Sequence, residues 1–282
     1  MDLSKNTQKK LADALVERNL TTTLKEAEAI ILAGKVLVDG KKIDKAGKLV
    51  ARSASVEIIE DMPYVSRGGV KLEKAFLDFG LNARGKKAID VGSSTGGFTD
   101  FLLQSGADKV LAIDVGYGQL AWNLRQLPKV IVMERTNIRN ISPQKIPFLS
   151  ELTVVDVSFI SIKTIFRSLL DITSDNGEIL ILIKPQFEVE REDVQKGGVI
   201  RSKELHQKTL QEIIEAVKIG GVEIKNITFS KLQGAKGNIE FWLYVKKTIK
   251  KNKITGINNK KTELNYDKII TSIVEEAHKY FK

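Results

Sequence analysis

The chain has no cysteine and only two histidines, His206 and His278. Without thiols there is no disulfide scaffold, no thiolate metal centre and no cysteine nucleophile. Two histidines leave little room for a zinc site or a serine–histidine–aspartate triad, so no metal is expected. Long apolar runs are missing as well. Ile179 to Ile183 is strand-sized, and nothing approaches the roughly 18 residues of a membrane span. The opening Met1-Asp2-Leu3-Ser4-Lys5-Asn6 has no apolar stretch of a secretory signal. What remains is a chain of 282 residues, 42% hydrophobic and 28% charged. That describes one large or two unequal folded domains, expected to be soluble and cytoplasmic, with no membrane partner.

Charge is unevenly spread. The net charge is +10, with residues 1–62 near neutral at +1 and residues 63–245 at +3, while residues 246–282 carry +6. Lys246, Lys247, Lys250, Lys251, Lys253, Lys260 and Lys261 lead this excess. Such a run is either a phosphate-contacting arm or a solvated linker. From Asn265 to Phe281 the spacing predicts an amphipathic helix with Ile269, Ile270, Ile273, Val274, Ala277 and Phe281 on one face. Its polar face is mixed in charge, which fits packing on its own protein better than on a membrane.

The first 60 residues read as two helices (Leu11, Leu15; then Ala27, Ile30, Ile31, Leu32) followed by a small β-unit. Val36-Leu37-Val38 runs into an Asp39-Gly40 turn, and Val56 to Ile59 closes the unit. Leu11-Ala12-Asp13-Ala14-Leu15 and Gly34-Lys35-Val36-Leu37-Val38-Asp39-Gly40 resemble the S4-type RNA-binding domain. That family often has Gly and Ser-Arg where this chain has Asn19 and Thr23-Leu24. The resemblance implies RNA contacts from among Lys9, Lys10, Arg18, Lys25, Lys35, Lys41 and Lys42.

Residues 63–245 alternate strand and helix, the pattern of an open parallel sheet. Ala88 to Val91, Val110 to Asp114, Val130 to Met133, Leu152 to Asp156 and Glu178 to Lys184 read as buried strands. Val222 to Phe229 and Ile239 to Val245 alternate in period two, as edge or antiparallel strands do. The expected fold is α/β: a small α+β domain, then a doubly wound, mostly parallel, seven-stranded Rossmann-like sheet.

Asp90-Val91-Gly92-Ser93-Ser94-Thr95-Gly96-Gly97-Phe98 sits at a strand-to-helix junction, where open α/β sheets bind ligands. It lacks the Gly-x-Gly-x-x-Gly of a dinucleotide loop. An acid two residues before the first glycine suits an amino-bearing ligand better than a pyrophosphate. Asp114, ending the next strand, is placed for ribose hydroxyls. That layout is the one used by S-adenosylmethionine enzymes. Asp156 and Lys184 each end an apolar strand, and a charge there is costly unless paired or functional. Spacing alone does not link them to Lys71 or Glu240.

The stretches Ser66 to Leu72, Gly92 to Thr99, Asp114 to Leu120, Glu134 to Asn137, Asp156 to Ser161 and Lys184 to Glu188 together resemble the hemolysin A (TlyA) family. The likeness covers about residues 7–245. It implies an S4-type domain (1–60), a linker (61–65) and an FtsJ-like class I methyltransferase (66–245). Residues 246–282, a lysine-rich linker and terminal helix, fall outside it. The activity implied is 2′-O-methylation of cytidine ribose in ribosomal RNA of either subunit, with S-adenosylmethionine as methyl donor. The implied catalytic residues are Lys71, Asp156, Lys184 and Glu240. The cofactor residues are Asp90, Gly92, Ser93, Ser94, Thr95, Gly96, Gly97, Phe98, Asp114 and Asn137, and Arg67 joins the RNA contacts.

In that chemistry Lys184 accepts or steers the 2′-hydroxyl proton while Lys71, Asp156 and Glu240 orient the ribose. An ordinary lysine is neutral about once in a thousand molecules near pH 7.4, a penalty of about 4 kcal/mol. A base role therefore requires a large downward shift, and otherwise proximity carries the rate. Phe187 to Ile200 reads as a lid or a plain surface loop. His206 is expected to be structural or exposed, and Trp122 and Trp242 to be core. A non-catalytic RNA-binding module and a membrane-acting hemolysin are the competing readings.

Overall fold

A computed structural model describes residues 8–32, 34–58, 63–194, 197–248 and 265–282. The side chains of Lys42 and Arg191 lie outside the description, as do Lys250, Lys251, Lys253, Lys260 and Lys261 of the lysine run. The chain divides into two compact units, 1–62 and 63–282.

The first unit contains β1 (Lys9–Lys10), α1 (Leu11–Glu17), α2 (Leu24–Leu32), β2 (Val36–Val38), β3 (Lys41–Ile43), β4 (Leu49–Val50) and β5 (Val56–Ile58). Strands pair β3-β2-β5 and β1-β4. Asp39 and Gly40 both take positive φ (48° and 74°), as a two-residue type I′ hairpin requires. Leu11, Leu15, Ala27, Ile31, Val36 and Val56 form its core. Leu32, expected on the apolar side of α2, is exposed. Several expected RNA contacts are engaged within the unit. Arg18 donates to the carbonyls of Ala54 and Arg52, and Lys9 pairs with Glu17 at 2.7 Å. Lys10, Lys25 and Lys41 are exposed, and Lys35 is partly buried.

The second unit begins at Pro63, inside the stretch read as linker; Asp61 and Met62 lie outside the described residues. Val65 N–H donates to Asp100 and Gln104 to the Pro63 carbonyl. Its elements are α3 (Arg67–Phe79), β6 (Lys87–Val91), α4 (Gly97–Gln104), β7 (Lys109–Ile113), α5 (Trp122–Arg125), β8 (Val130–Met133), β9 (Ser150–Val155), α6 (Ile162–Ile172), β10 (Thr173–Ile183), α7 (Lys203–Ile219), β11 (Val222–Phe229), β12 (Phe241–Lys247) and α8 (Tyr266–Tyr280). The sheet order is β11-β12-β10-β9-β6-β7-β8. Five strands pair in parallel, while β12 runs antiparallel to both β10 and β11. Of the two strands with period-two patterning, β11 is the edge. β12 is interior, with Phe241, Trp242, Leu243 and Val245 buried.

Each strand sends alternate residues to opposite faces. Leu72 and Phe76 of α3 and Phe98 and Leu102 of α4 pack with Ala88, Val110, Leu180 and Trp242. Ile165 and Leu169 of α6, Ile213 and Val217 of α7 and Val274 of α8 pack with Ile89, Leu111, Ile181 and Leu243. The order reverses between β6 and β9, and a crevice opens beyond the carboxyl ends of the strands at such a switch point. No helix among the described residues is long and apolar enough to cross a membrane.

Three readings need correction or completion. Trp122 is 73% exposed and not core: α5 is a single turn, and Leu120 and Leu124 fill the space beneath it. His206 is fully buried and meets His278 of α8, Nδ1 to Nε2, at 2.9 Å. Lys247, counted with the lysine arm, donates to the Leu170 and Thr173 carbonyls at the end of α6.

Candidate active site

The loop after β6 passes close against the end of β9. Gly92 has φ 85°, and a Cβ there would lie 2.3 Å from the Asp156 carbonyl oxygen. No side chain fits, and the glycine is needed for both reasons. Asp156 N–H donates to the Val91 carbonyl, fixing the two strand ends together.

Two adjoining hollows share Gly92, Ser94 and Asp156. The larger, about 620 Å³, is walled by Ile113, Val115, Ile138, Val157, Phe159 and Ile160, with Asp114, Gln119, Thr136 and Asn137 among them. Apolar walls with a few polar groups suit a flat heterocycle carrying a sugar. Asp114 accepts Ser94 N–H (2.8 Å) on one oxygen and Gly116 N–H (2.6 Å) on the other. Each oxygen keeps a second lone pair for a ribose hydroxyl. Asn137 spends its Oδ1 on Arg139 N–H. The smaller hollow, about 340 Å³, is lined by Ser66, Arg67, Lys71, Ser93, Thr95, Gly97, Phe98 and the turn Leu232 to Ala235.

Two expected cofactor residues do not line either hollow. Gly96 turns away against Leu120 and Leu124. Asp90 lies beneath the loop, fully buried, accepting the Thr99 hydroxyl at 2.7 Å on Oδ2. Burial pushes its carboxyl up to about 7, against the Thr99 hydrogen bond. Its Oδ1 is also buried and, among the described residues, has no hydrogen-bond partner. A buried orphaned acceptor beneath a loop is the kind of group that an ordered water satisfies.

Lys71, Asp156, Lys184 and Glu240 form two ion pairs. Lys71 Nζ lies 2.6 Å from Glu240 Oε2, and Lys184 Nζ lies 2.5 Å from Asp156 Oδ1. Lys184 also donates to Ser158 Oγ at 3.1 Å. Lys71 and Asp156 face the hollows; Lys184 meets them through Asp156, and Glu240 through Lys71. Glu240 is 2% exposed, and burial raises its carboxyl above the usual range while the Lys71 cation pulls it down. Lys71 rides on α3. Ser66 occupies the N-cap position, but its hydroxyl makes no capping bond there. Glu240 ends the loop before β12, not the strand itself.

Sequence reasoning missed Gly234 and Ser158. A Cβ on Gly234 would sit 1.9 Å from Glu240 Oε1, so this glycine makes room for the carboxylate. Gly234 and Gly237, three residues apart ahead of a strand, were the available signal of a tight loop. Ser158 was inside a quoted motif but had no assigned role. The stretch read as a lid is pinned at its far end: Ile200 N–H donates to Asn238, and Asn238 and Lys236 donate to the Gly198 and Gly197 carbonyls.

Family models match in two places: an FtsJ-like methyltransferase over residues 64–247 and an S4 domain over residues 9–56. A candidate rRNA methyltransferase of Bacillus subtilis, YqxC, is 41% identical over 270 residues, covering 95% of this chain and 93% of its own. The 16S/23S rRNA (cytidine-2′-O)-methyltransferase TlyA of Mycobacterium tuberculosis is 38% identical over 234 residues, 82% of this chain and 87% of its own. The solved structure of a candidate hemolysin from Streptococcus thermophilus superposes with a TM-score of 0.71 at 36% identity, over 98% of both chains.

Proposed function

Since the chain belongs to the hemolysin A (TlyA) family, an S4 domain followed by an FtsJ-like methyltransferase, we propose that it methylates the ribose 2′-oxygen of cytidine in ribosomal RNA, of one or both subunits. The observation that carries this reading is the pair of ion pairs, Lys71–Glu240 and Lys184–Asp156, beside a nucleoside-sized cleft at the strand ends. The reading also puts the enzyme in the cytoplasm, with its RNA.

The residues of the larger hollow fit S-adenosylmethionine: Asp114, with a lone pair left on each oxygen, for the ribose, and the apolar walls for the adenine. When bound, that cosubstrate supplies an electrophilic methyl on a sulfonium. The protein must then hold a hydroxyl in line with it and take away one proton. Lys184 Nζ is ion-paired with Asp156 and donates to Ser158 Oγ. In this reading its amine meets the 2′-hydroxyl beside Asp156, to fix its oxygen and to receive or steer its proton. Asp156 keeps the lysine in place and balances its charge. Lys71, held by Glu240, presents a cation at the smaller hollow, where Arg67 also stands, and both suit a ribose–phosphate backbone. Holding two reactants in line is worth several orders of magnitude in rate, so orientation is the main contribution of these side chains.

The test is methyl transfer from labelled S-adenosylmethionine to undermodified small subunits, large subunits and free ribosomal RNA. Label on either subunit or on the RNA supports the reading. Measurable cofactor binding without label on any of the three points to a different acceptor. Neither binding nor label returns the chain to the non-catalytic RNA-binding reading.

A further inference from the structure

Glu188 is a partly buried carboxylate that the chemistry above does not use. It follows Lys184 by one short turn, Pro185–Phe187, which closes back on Lys184 through Phe187 N–H to the Lys184 carbonyl at 2.9 Å. Both its oxygens are bonded to the other catalytic loop. Oε2 accepts the Ser161 hydroxyl at 2.6 Å, and Oε1 accepts Ile162 N–H at 2.7 Å. Ser161 caps α6, its Oγ accepting Lys163 N–H at 3.1 Å. One carboxylate therefore fastens the loop after β10, which carries Lys184, to the loop after β9, which carries Asp156 and Ser158. The Phe159 and Phe187 rings, 4.8 Å apart, touch across the same two loops.

A charge taken partly out of water is retained where donors repay its desolvation, and a helix N-terminus provides them. Burial nonetheless raises this carboxyl above its ordinary range. Glu188 itself lines a separate hollow of about 80 Å³ with Lys163, Lys208 and Glu212, not the cleft. It touches no reacting atom and acts only through what it holds.

We propose that Glu188 is a positioning residue for methyl transfer, stapling the Lys184 loop to the Asp156–Ser158 loop so that the lysine amine keeps its two partners. The proposal rests on the methyltransferase reading for its kinetic consequence, but not for its structural one.

The full chain is compared as wild type, Glu188→Ala and Glu188→Gln. Three quantities are read: single-turnover methyl transfer to undermodified subunits, cosubstrate affinity by calorimetry, and the rate at which Lys184 is acylated, followed by mass spectrometry. Glu188→Ala is expected to lose about 10- to 100-fold in rate, with cosubstrate affinity within about twofold and Lys184 acylated several-fold faster. Glu188→Gln, which keeps an acceptor for Ile162 N–H, recovers most of both. If Glu188→Ala does not fold, Ser161→Ala removes one arm of the staple and takes its place. Unchanged rate and unchanged acylation in a folded variant overturn the proposal, since a purely structural cap moves neither. Wild type that transfers no methyl, while the variants still expose Lys184, sinks the methyltransferase reading and leaves the staple standing.

Discussion

Lys71 Nζ and Glu240 Oε2 stand 2.6 Å apart although 169 positions separate them in the chain. This contact joins α3 to the loop before β12 and pairs a buried carboxylate with a cation, while the Lys184 charge also pulls that carboxyl down. Removing one member of such a pair strands the other, which is more costly than never having buried either.

Lys71→Ala is therefore expected to destabilise the second unit by about 3–5 kcal/mol. The effect has a pH signature. Without Lys71 the Glu240 carboxyl, already raised by burial, rises further, and the folded state prefers it protonated. The loss should be larger at pH 8 than at pH 5, as denaturant unfolding at the two pH values would reveal. Equal losses would mean that Glu240 is solvated without its lysine.

Gly234→Ala should damage catalysis more than stability. The added methyl would overlap Glu240 Oε1, at 1.9 Å, while Gly234 itself has an ordinary φ of −72°. Overpacking of this kind costs typically about 1–3 kcal/mol, but displacement of Glu240 by an ångström should lower methyl transfer on the order of 100-fold. Parallel melting and single-turnover assays separate the two effects. Full activity in Gly234→Ala would show that the position of Glu240 is not critical.

Asp90 gives a stability trend of known sign. Its folded-state pKa of about 7 exceeds the ordinary aspartate value. The native state thus holds a proton that the unfolded chain has released, and its contribution is lost as pH rises from about 4 through 7. A shift of that size corresponds to on the order of 4 kcal/mol. Asp90→Asn cannot titrate, so the wild-type-minus-variant unfolding free energy should fall over that window. A flat difference between pH 4 and pH 8 would contradict the buried state of Asp90.

The histidine pair should respond in the opposite direction. Burial, with His278 nearby, holds His206 down to about 4, and burial also lowers His278. A depressed histidine contributes stability above its unfolded value near 6.5, and that contribution disappears as pH falls towards 4. Hydrogen exchange of α8, corrected for intrinsic rates, should lose protection between pH 7 and pH 5. Undiminished protection at pH 5 would show that the pair does not hold α8.

The strand ends were legible in the sequence because Asp156 and Lys184 interrupt apolar runs, and a charge at the end of a buried strand stands out. The α8 face was legible for a different reason, apolar residues recurring at helical spacing. Glu240 was not visible from spacing, since its meaning lies in a lysine 169 residues away and in a glycine that only sterics singles out. The His206–His278 contact spans 72 positions and two helices. Trp122 misled because a large aromatic is usually buried, yet a one-turn helix has too little surface to cover it.

The central claim, that the Lys184–Asp156 pair beside the cleft drives methylation of a ribose 2′-oxygen, is tested most directly by locating the transferred methyl. Ribosomal RNA labelled by wild type and by Lys184→Ala is digested and mapped by mass spectrometry, after cosubstrate affinities are matched by calorimetry. The account predicts label on a cytidine ribose 2′-oxygen with wild type and its loss, by two orders of magnitude or more, with the variant. Label on a base, or undiminished label with Lys184→Ala, would contradict it.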